Sequence, residues 1–407
     1  MEQVDEQLGI ITRSTEEILP LEDLKAKLTR SLKEKTPLTV KFGVDPTSPD
    51  LHLGHAVILR KLKTFQELGH RVVLLIGDFT ARIGDPSERS VTRPQLGAEQ
   101  VRKNAKTYTD QAFKILDRAR TVIDYNSRWF GKMTFEEILK LSAKFTVAQM
   151  LVRDDFGKRY SEGFPIGLHE FLYPVMQAYD SIVLHADIEI GGTDQIFNML
   201  AGRDLQRESG QEPQVVITMP ILEGIDGKQK MSKSLGNHVG LTDPPEEMFG
   251  KIMSVPDELM IKYFYLTTDL LNGEIEQINQ GLEQGTLHPA KAKRRLAREV
   301  VTLYHGHSAA EWAEREFDTI FKEKELPSQI PEVLVSRELL KDKKIWIVRL
   351  ITSVGFAKTG SEARRLIQQG GVKLNGKVIQ SPDIDIEIKD GYILQVGKRK
   401  FTRLKLS

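Results

Sequence analysis

The chain has 407 residues, is 40% hydrophobic and 28% charged, and carries a formal net charge of +1, so a soluble globular protein of two or three domains is expected. It contains no cysteine, which excludes disulfides, thiol catalysis and thiolate metal sites and agrees with a cytoplasmic location. The N-terminus lacks the basic and apolar regions of a secretory signal. The best apolar run, Val72-Val-Leu-Leu-Ile76, is only strand-sized, so no membrane partner is expected.

In chain order, Leu38-Thr-Val-Lys-Phe-Gly-Val44 reads as a strand, stopped by Asp45-Pro-Thr-Ser-Pro49. Residues 56–68 carry apolar side chains at helical spacing (Val57, Ile58, Leu62, Phe65, Leu68), and Gly69 ends the run. Residues 71–76 read as a buried strand, followed by a loop through Ile83-Gly-Asp-Pro-Ser87. Strand, helix and strand with short joints form a right-handed βαβ unit and predict a parallel sheet. Helices are predicted over 134–152 and 167–180, and short strands over 186–190, ending in Gly191-Gly192, and over 214–219. From Pro244 helical patterns dominate to about residue 322, including 289–303 with its Lys291, Lys293, Arg294, Arg295 and Arg298 cluster. Leu326-Pro-Ser-Gln-Ile-Pro331 reads as a linker, and a small basic module follows.

Charge is uneven. Residues 341–407 hold fifteen Lys/Arg against six Asp/Glu, a net of +9 that leaves −8 on the rest. A basic tail on an acidic body suggests a polyanionic partner, or a solvated basic face.

Three stretches carry chemistry. His52-Leu-Gly-His55 falls between the first strand and the next helix, outside the carboxyl end of the sheet, where ligands collect. The helix N-terminus there suits phosphate, Gly54 permits close approach, and imidazoles can donate to phosphate oxygens. A metal pair would need a third ligand, and a helix-capping role also fits. Gly227-Lys-Gln-Lys-Met-Ser-Lys-Ser-Leu-Gly236 sets Lys230 and Lys233 on a glycine-bounded loop, either a triphosphate clamp or a solvated loop. Tyr173, Gln177 and Asp180, at i, i+4 and i+7, share one helix face, where burial is costly unless something polar is bound.

An H-x-G-H followed about 175 residues later by Lys-Met-Ser-Lys-Ser resembles the class I aminoacyl-tRNA synthetases. With the Tyr173 helix face, Gly191-Gly-Thr-Asp-Gln195 and the Asp85 loop, the chain is similar over nearly its whole length to the bacterial tyrosyl-tRNA synthetases of the branch with a Lys-Met-Ser-Lys-Ser loop. The resemblance implies an α/β fold with three parts. These are a Rossmann-like parallel-sheet catalytic domain over 1–243, an α-helical anticodon-side domain over 244–325, and, after a linker over 326–342, a small α+β S4-like RNA-binding domain over 343–407.

It also implies roles. Asp85, Tyr173 and Gln177 hold the substrate ammonium, Asp180 accepts from the phenol, and Gln195 orients the carboxylate. Gly54, Gly192, Asp194 and Lys233 meet ATP, with Asp194 on the ribose. Thr47, His52, His55, Lys230 and Lys233 stabilise the reacting phosphates, and ATP arrives with Mg²⁺ as a substrate complex. No tightly bound cofactor and no resident metal are expected. Arg364 and Arg365, on a helix that Ser361 is expected to cap, meet tRNA, and the family is dimeric. Arg89 and Arg93 sit on a basic loop near the expected phosphate site.

One departure stands out. Where many members carry a tyrosine that also contacts the phenol, this chain has Lys41, followed by Phe42 in place of a cysteine. A tryptophanyl enzyme is argued against by the Tyr173 face and the tail. The long helical region and the tail likewise argue against another nucleotidylyltransferase, and the intact histidines and lysines against a non-catalytic RNA-binding protein.

Overall fold

The computed structural model describes residues 2–86, 97–320, 330–340, 344–397 and 400–406. Arg89, Arg93 and residues 326–329 and 341–342 of the expected linker lie outside the described residues, while 332–335 of that linker form a strand paired into the tail's sheet rather than a connector. The described chain falls into two compact units. One comprises Met1–Asp243 and Val255–Pro289, the other Pro244–Ser254 and Ala290–Ser407, so the expected helical domain is divided between them.

The first unit is built on a six-stranded sheet of β1 (Glu17–Leu19), β2 (Thr39–Val44), β3 (Arg71–Ile76), β4 (Thr121–Tyr125), β5 (Ile188–Gly192) and β6 (Val215–Met219), in the order β1-β6-β5-β2-β3-β4. Five strands run parallel, as the βαβ spacing requires. β1 adds an antiparallel edge against β6 that the sequence reading does not contain. At three residues β1 is too short to show a pattern. β3 after Arg71 is a continuous apolar run, and β6 is buried along its whole length with only Thr218 polar, because both sheet faces are covered. The helix Leu53–Glu67 buries Leu53, Ala56, Val57, Leu59, Leu62 and Phe65, positions that lie all round its axis as in a helix packed on several sides, and is terminated at Gly69, whose φ is +87°. The helix expected over 134–152 is two helices, Phe135–Ser142 and Val147–Leu151. Thr146 caps the second through Gln149 and so starts a new axis.

Chain order runs outward from β2 to β3 and β4, then returns to the other side of β2 with β5 and β6. The crevice between β2 and β5 is therefore the topological switch point, where an open α/β sheet offers its binding site.

In the second unit, Pro289–His305 packs its Ala292, Leu296, Ala297, Val300 and Val301 stripe inward. Arg294 turns to Glu314 (3.2 Å) and Asp318, and Arg298 to Glu314 (3.5 Å), so part of the basic cluster is spent on the neighbouring helix. The tail pairs β7 (Glu332–Val335), β9 (Val372–Leu374), β10 (Lys377–Val378), β12 (Ile393–Val396) and β13 (Lys400–Leu406) in one sheet, and β8 (Lys344–Trp346) with β11 (Asp385–Glu387) in another. Ile347, Leu350, Ile351, Ala363, Ile367, Val372 and Leu394 fill its core. Its helix Gly360–Gln368 is capped by Thr359, whose hydroxyl accepts from the Glu362 N–H (3.2 Å). The cap is thus two residues before the expected Ser361. No helix among the described residues is long and apolar enough to cross a membrane.

Candidate active site

A pocket of about 440 Å³ opens at the switch point, and thirteen of the fifteen expected site residues line it: Thr47, His52, Gly54, His55, Asp85, Tyr173, Gln177, Asp180, Gly192, Asp194, Gln195, Lys230 and Lys233. The other two, Arg364 and Arg365, are exposed on the tail helix, with the Arg364 guanidinium 5.1 Å over the Trp346 ring.

Asp180 forms the buried end. Its Oδ1 accepts from Trp129 Nε1 (2.9 Å) and its Oδ2 from Asn126 Nδ2 (3.3 Å). Burial pushes this carboxyl up to about 7, against the pull of Lys41 and the two hydrogen bonds. Sequence reasoning misses Asn126 and Trp129, because nothing in their local pattern marks a β4 exit as a neighbour of the helix Leu168–Leu184. A chain of polar contacts runs on from there. Asn126 donates to Thr80 Oγ1 (3.0 Å), Thr80 to Asp45 Oδ1 (2.7 Å), and the Tyr173 hydroxyl to Asp45 Oδ2 (3.1 Å). A Cβ on Gly77 would lie 2.0 Å from Asp45 Oδ1 and 2.4 Å from Thr80 Oγ1, so only glycine lets this chain close. Burial, then Asp45, hold the Tyr173 phenol well above its ordinary range, so it stays a donor. Asp85 faces the same end, accepting from Gln195 Nε2 (2.8 Å), and buried Arg153 lies 3.7 Å away.

At the other end His52 occupies the N-cap position of the helix Leu53–Glu67. The His55 ring accepts the His52 backbone N–H at Nδ1 (3.3 Å), so the capping reading holds for His55 while both rings still line the pocket. A neutral imidazole accepting at Nδ1 carries its proton on Nε2, which fixes the His55 tautomer. Burial lowers His55 to about 4. Burial, then His55, His238 and Lys230, lower His52 well below its ordinary value. Both rings are neutral donors at pH 7. A Cβ on Gly54 would sit 3.0 Å from the His52 ring, so a side chain there would press on that imidazole. Gly192 serves Asp194 similarly, whose carboxylate would be 2.5 Å from an added Cβ.

The lysine loop reaches this end through backbone pairing. Leu53 N–H donates to Val239 O (3.0 Å) and Leu241 N–H to Leu51 O (3.0 Å), which ties the histidine segment to the strand-like exit of the loop. Buried Asn237 braces the loop. Its Oδ1 accepts from Ser232 N–H (2.8 Å), and its Nδ2 donates to Asp226 (3.0 Å) and Lys230 O (3.1 Å). Lys230 lies 3.5 Å from Asp194, and Lys233 pairs with Asp50. The arrangement can seat a phenolic amino acid against carboxylates and a polyphosphate against neutral imidazoles and two ammonium groups.

Comparison with known proteins follows the same lines. The profile of the family described as tRNA synthetases class I (W and Y) matches residues 33–322, and that of the S4 domain matches residues 345–390. A tyrosine--tRNA ligase of Moorella thermoacetica is 54% identical over 403 residues, covering 99% of this chain and 96% of the relative. One of Thermotoga maritima is 51% identical over 400 residues, covering 98% and 97%. Among solved structures, a C-terminally truncated mitochondrial tyrosyl-tRNA synthetase of Aspergillus nidulans superposes with a TM-score of 0.63 at 22% identity, covering 79% of this chain and 99% of that one. The Archaeoglobus fulgidus tyrosyl-tRNA synthetase complexed with L-tyrosine gives 0.62 at 24% identity, covering 76% and 99%. At those identities the structures speak for the fold.

Proposed function

The chain belongs to the class I tRNA synthetases of the tryptophan and tyrosine family, and we infer from this that it ligates L-tyrosine to tRNA at the expense of ATP. The observation that carries the assignment of the site is the pocket's polarity. Its buried end is built on Asp180, Asn126 and Trp129, and its other end carries His52, His55, Lys230 and Lys233.

In this reading the phenol donates to Asp180, and the ammonium meets Tyr173, Gln177 and Asp85. Gln195 orients the tyrosine carboxylate. A carboxylate oxygen attacks the α-phosphorus of ATP in line as the bond to pyrophosphate breaks, giving tyrosyl-adenylate without a covalent enzyme intermediate. Neutral His52 and His55 donate hydrogen bonds, with Thr47, as negative charge spreads. Lys230 and Lys233 exchange their present carboxylate partners for phosphate, and Mg²⁺ accompanies the phosphates. Asp194 and Gly192 take the ribose. The terminal ribose hydroxyl of tRNA then attacks the adenylate carbonyl and releases AMP. A site built to hydrogen-bond a hydroxyl rejects the analogue lacking it, tyrosyl enzymes being the standard illustration, so Asp180 excludes phenylalanine.

The helices of 244–325 and the S4-like tail, through Arg364 and Arg365, bind tRNA in this reading, and the enzyme serves cytoplasmic translation as a homodimer. The segment 135–168 supports pairing through its exposed apolar side chains, with Phe135 76%, Val152 77% and Leu168 84% exposed. Pyrophosphate exchange measured with each amino acid tests the central claim. Exchange with tyrosine alone is expected, and exchange with tryptophan, or with none, overturns it.

A further inference from the structure

Lys41, the departure from the family pattern, is fully buried on β2 beside Glu189, its lateral partner on β5. Its Nζ spends all three donors on Glu189 Oε1 (3.0 Å), Ser181 Oγ (2.7 Å) and the Gln177 backbone carbonyl (3.3 Å). Glu189 is saturated in turn. Oε1 accepts Lys41 and Gln177 Nε2 (3.1 Å), and Oε2 accepts Ser181 Oγ (3.1 Å) and Gln214 Nε2 (2.5 Å). A Cβ on Gly202 would come within 2.8 Å of Gln214 Nε2, so the network is packed shut from the next helix as well.

A buried ion pair contributes little net stability, since desolvation offsets its attraction. Its effect here is directional. A carboxylate only accepts, so the Gln177 amide must turn its nitrogen to Glu189. The carbonyl Oε1 is then left for the pocket that Gln177 lines. Without the anion the amide could rotate and present N–H groups, which repel an ammonium.

We infer that Lys41 and Glu189 are positioning residues for amino-acid recognition: the pair locks Gln177 as an obligate acceptor for the α-ammonium of tyrosine. This rests on the assignment of Gln177 to the ammonium. Lys41 thereby acts on the ammonium end through Gln177, rather than standing in for a phenol contact.

The test compares the affinity of the full-length enzyme for L-tyrosine and for 3-(4-hydroxyphenyl)propionate, which lacks the ammonium, by calorimetric titration. In the Lys41→Met/Glu189→Met double variant the preference for tyrosine should fall about tenfold, with affinity for the propionate retained. The volume-preserving Glu189→Gln, which can offer either amide end, should lose part of that preference and guards against a folding defect in the double variant. A native preference in both variants, or equal loss of both ligands, overturns the inference. Gln177→Leu separates the underlying assignment. If Gln177→Leu lowers the preference and the pair variants do not, only the role of the pair is wrong. If Gln177→Leu leaves the preference native, the ammonium assignment itself falls.

Discussion

Asp180 is a carboxyl whose burial and hydrogen bonds pull its ionisation in opposite directions, and burial wins, leaving it near 7. Ionised, it accepts from a phenol more strongly than as the neutral acid, so kcat/KM for tyrosine should rise as pH climbs through about 7 and level off above it. The pocket histidines do not titrate in that window, since His55 lies at about 4 and His52 well below its ordinary value. The inflection should therefore vanish in Asp180→Asn. A wild-type profile flat between pH 6 and 8 would contradict the assignment. In the proposed mechanism the loop lysines meet the ATP phosphates rather than tyrosine. Lys233→Ala or Lys230→Ala should lower the rate of pyrophosphate exchange by about 10²-fold with little change in tyrosine affinity, as when one donor is removed from a charge-stabilising site. Full exchange activity in Lys233→Ala would remove the clamp from the mechanism.

At the scale of elements, the helix Leu53–Glu67 has a start shaped by chemistry rather than propensity. Gly54 lies in the first turn, where alanine would favour the helix by about 0.5–1 kcal/mol, yet its Cβ would press on the His52 ring at 3.0 Å. Gly54→Ala should therefore melt no lower than the parent while losing about tenfold in kcat, because a displaced ring misaligns its donor. Calorimetry and exchange kinetics on the same variant check both halves. The lysine loop depends on Asn237 for its shape. Asn237→Ala leaves the Ser232 N–H and the Lys230 carbonyl without their side-chain partner. It should cost about 1–3 kcal/mol locally and slow activation without changing tyrosine affinity, read from the KM for tyrosine against kcat. Apolar periodicity made the helix and β3 legible, because one buries apolar residues at helical spacing and the other nearly a whole strand. The break at 143–146 and the edge strand β1 were not legible, because a cap and a three-residue pairing leave no period to read.

On the scale of the molecule, the charge division follows the two kinds of work. The residues that line the pocket all belong to the first unit, whereas the S4-like tail carries the net positive charge expected of an RNA-binding surface. If Arg364 and Arg365 each contact a phosphate, the double alanine variant should reduce the slope of log Kd for tRNA against log salt by about one to two and leave pyrophosphate exchange native. An unchanged slope would remove both arginines from the phosphate contacts.

The sequence by itself determined the chemistry available: which donors, ammonium groups and carboxylates exist, and that His52, His55, Lys230 and Lys233 form one signature. Motif residues are local in the chain and constrained by reactivity, so they can be read in one dimension. Tertiary structure alone decided how they meet. Backbone pairing of 51–53 with 239–241 brings the lysine loop to the histidines. The β4 exit delivers Asn126 and Trp129 to Asp180, and the β2–β5 register sets Lys41 beside Glu189. Each contact joins residues at least fifty positions apart, and which of many compatible side chains become neighbours depends on sheet order, which no local pattern encodes.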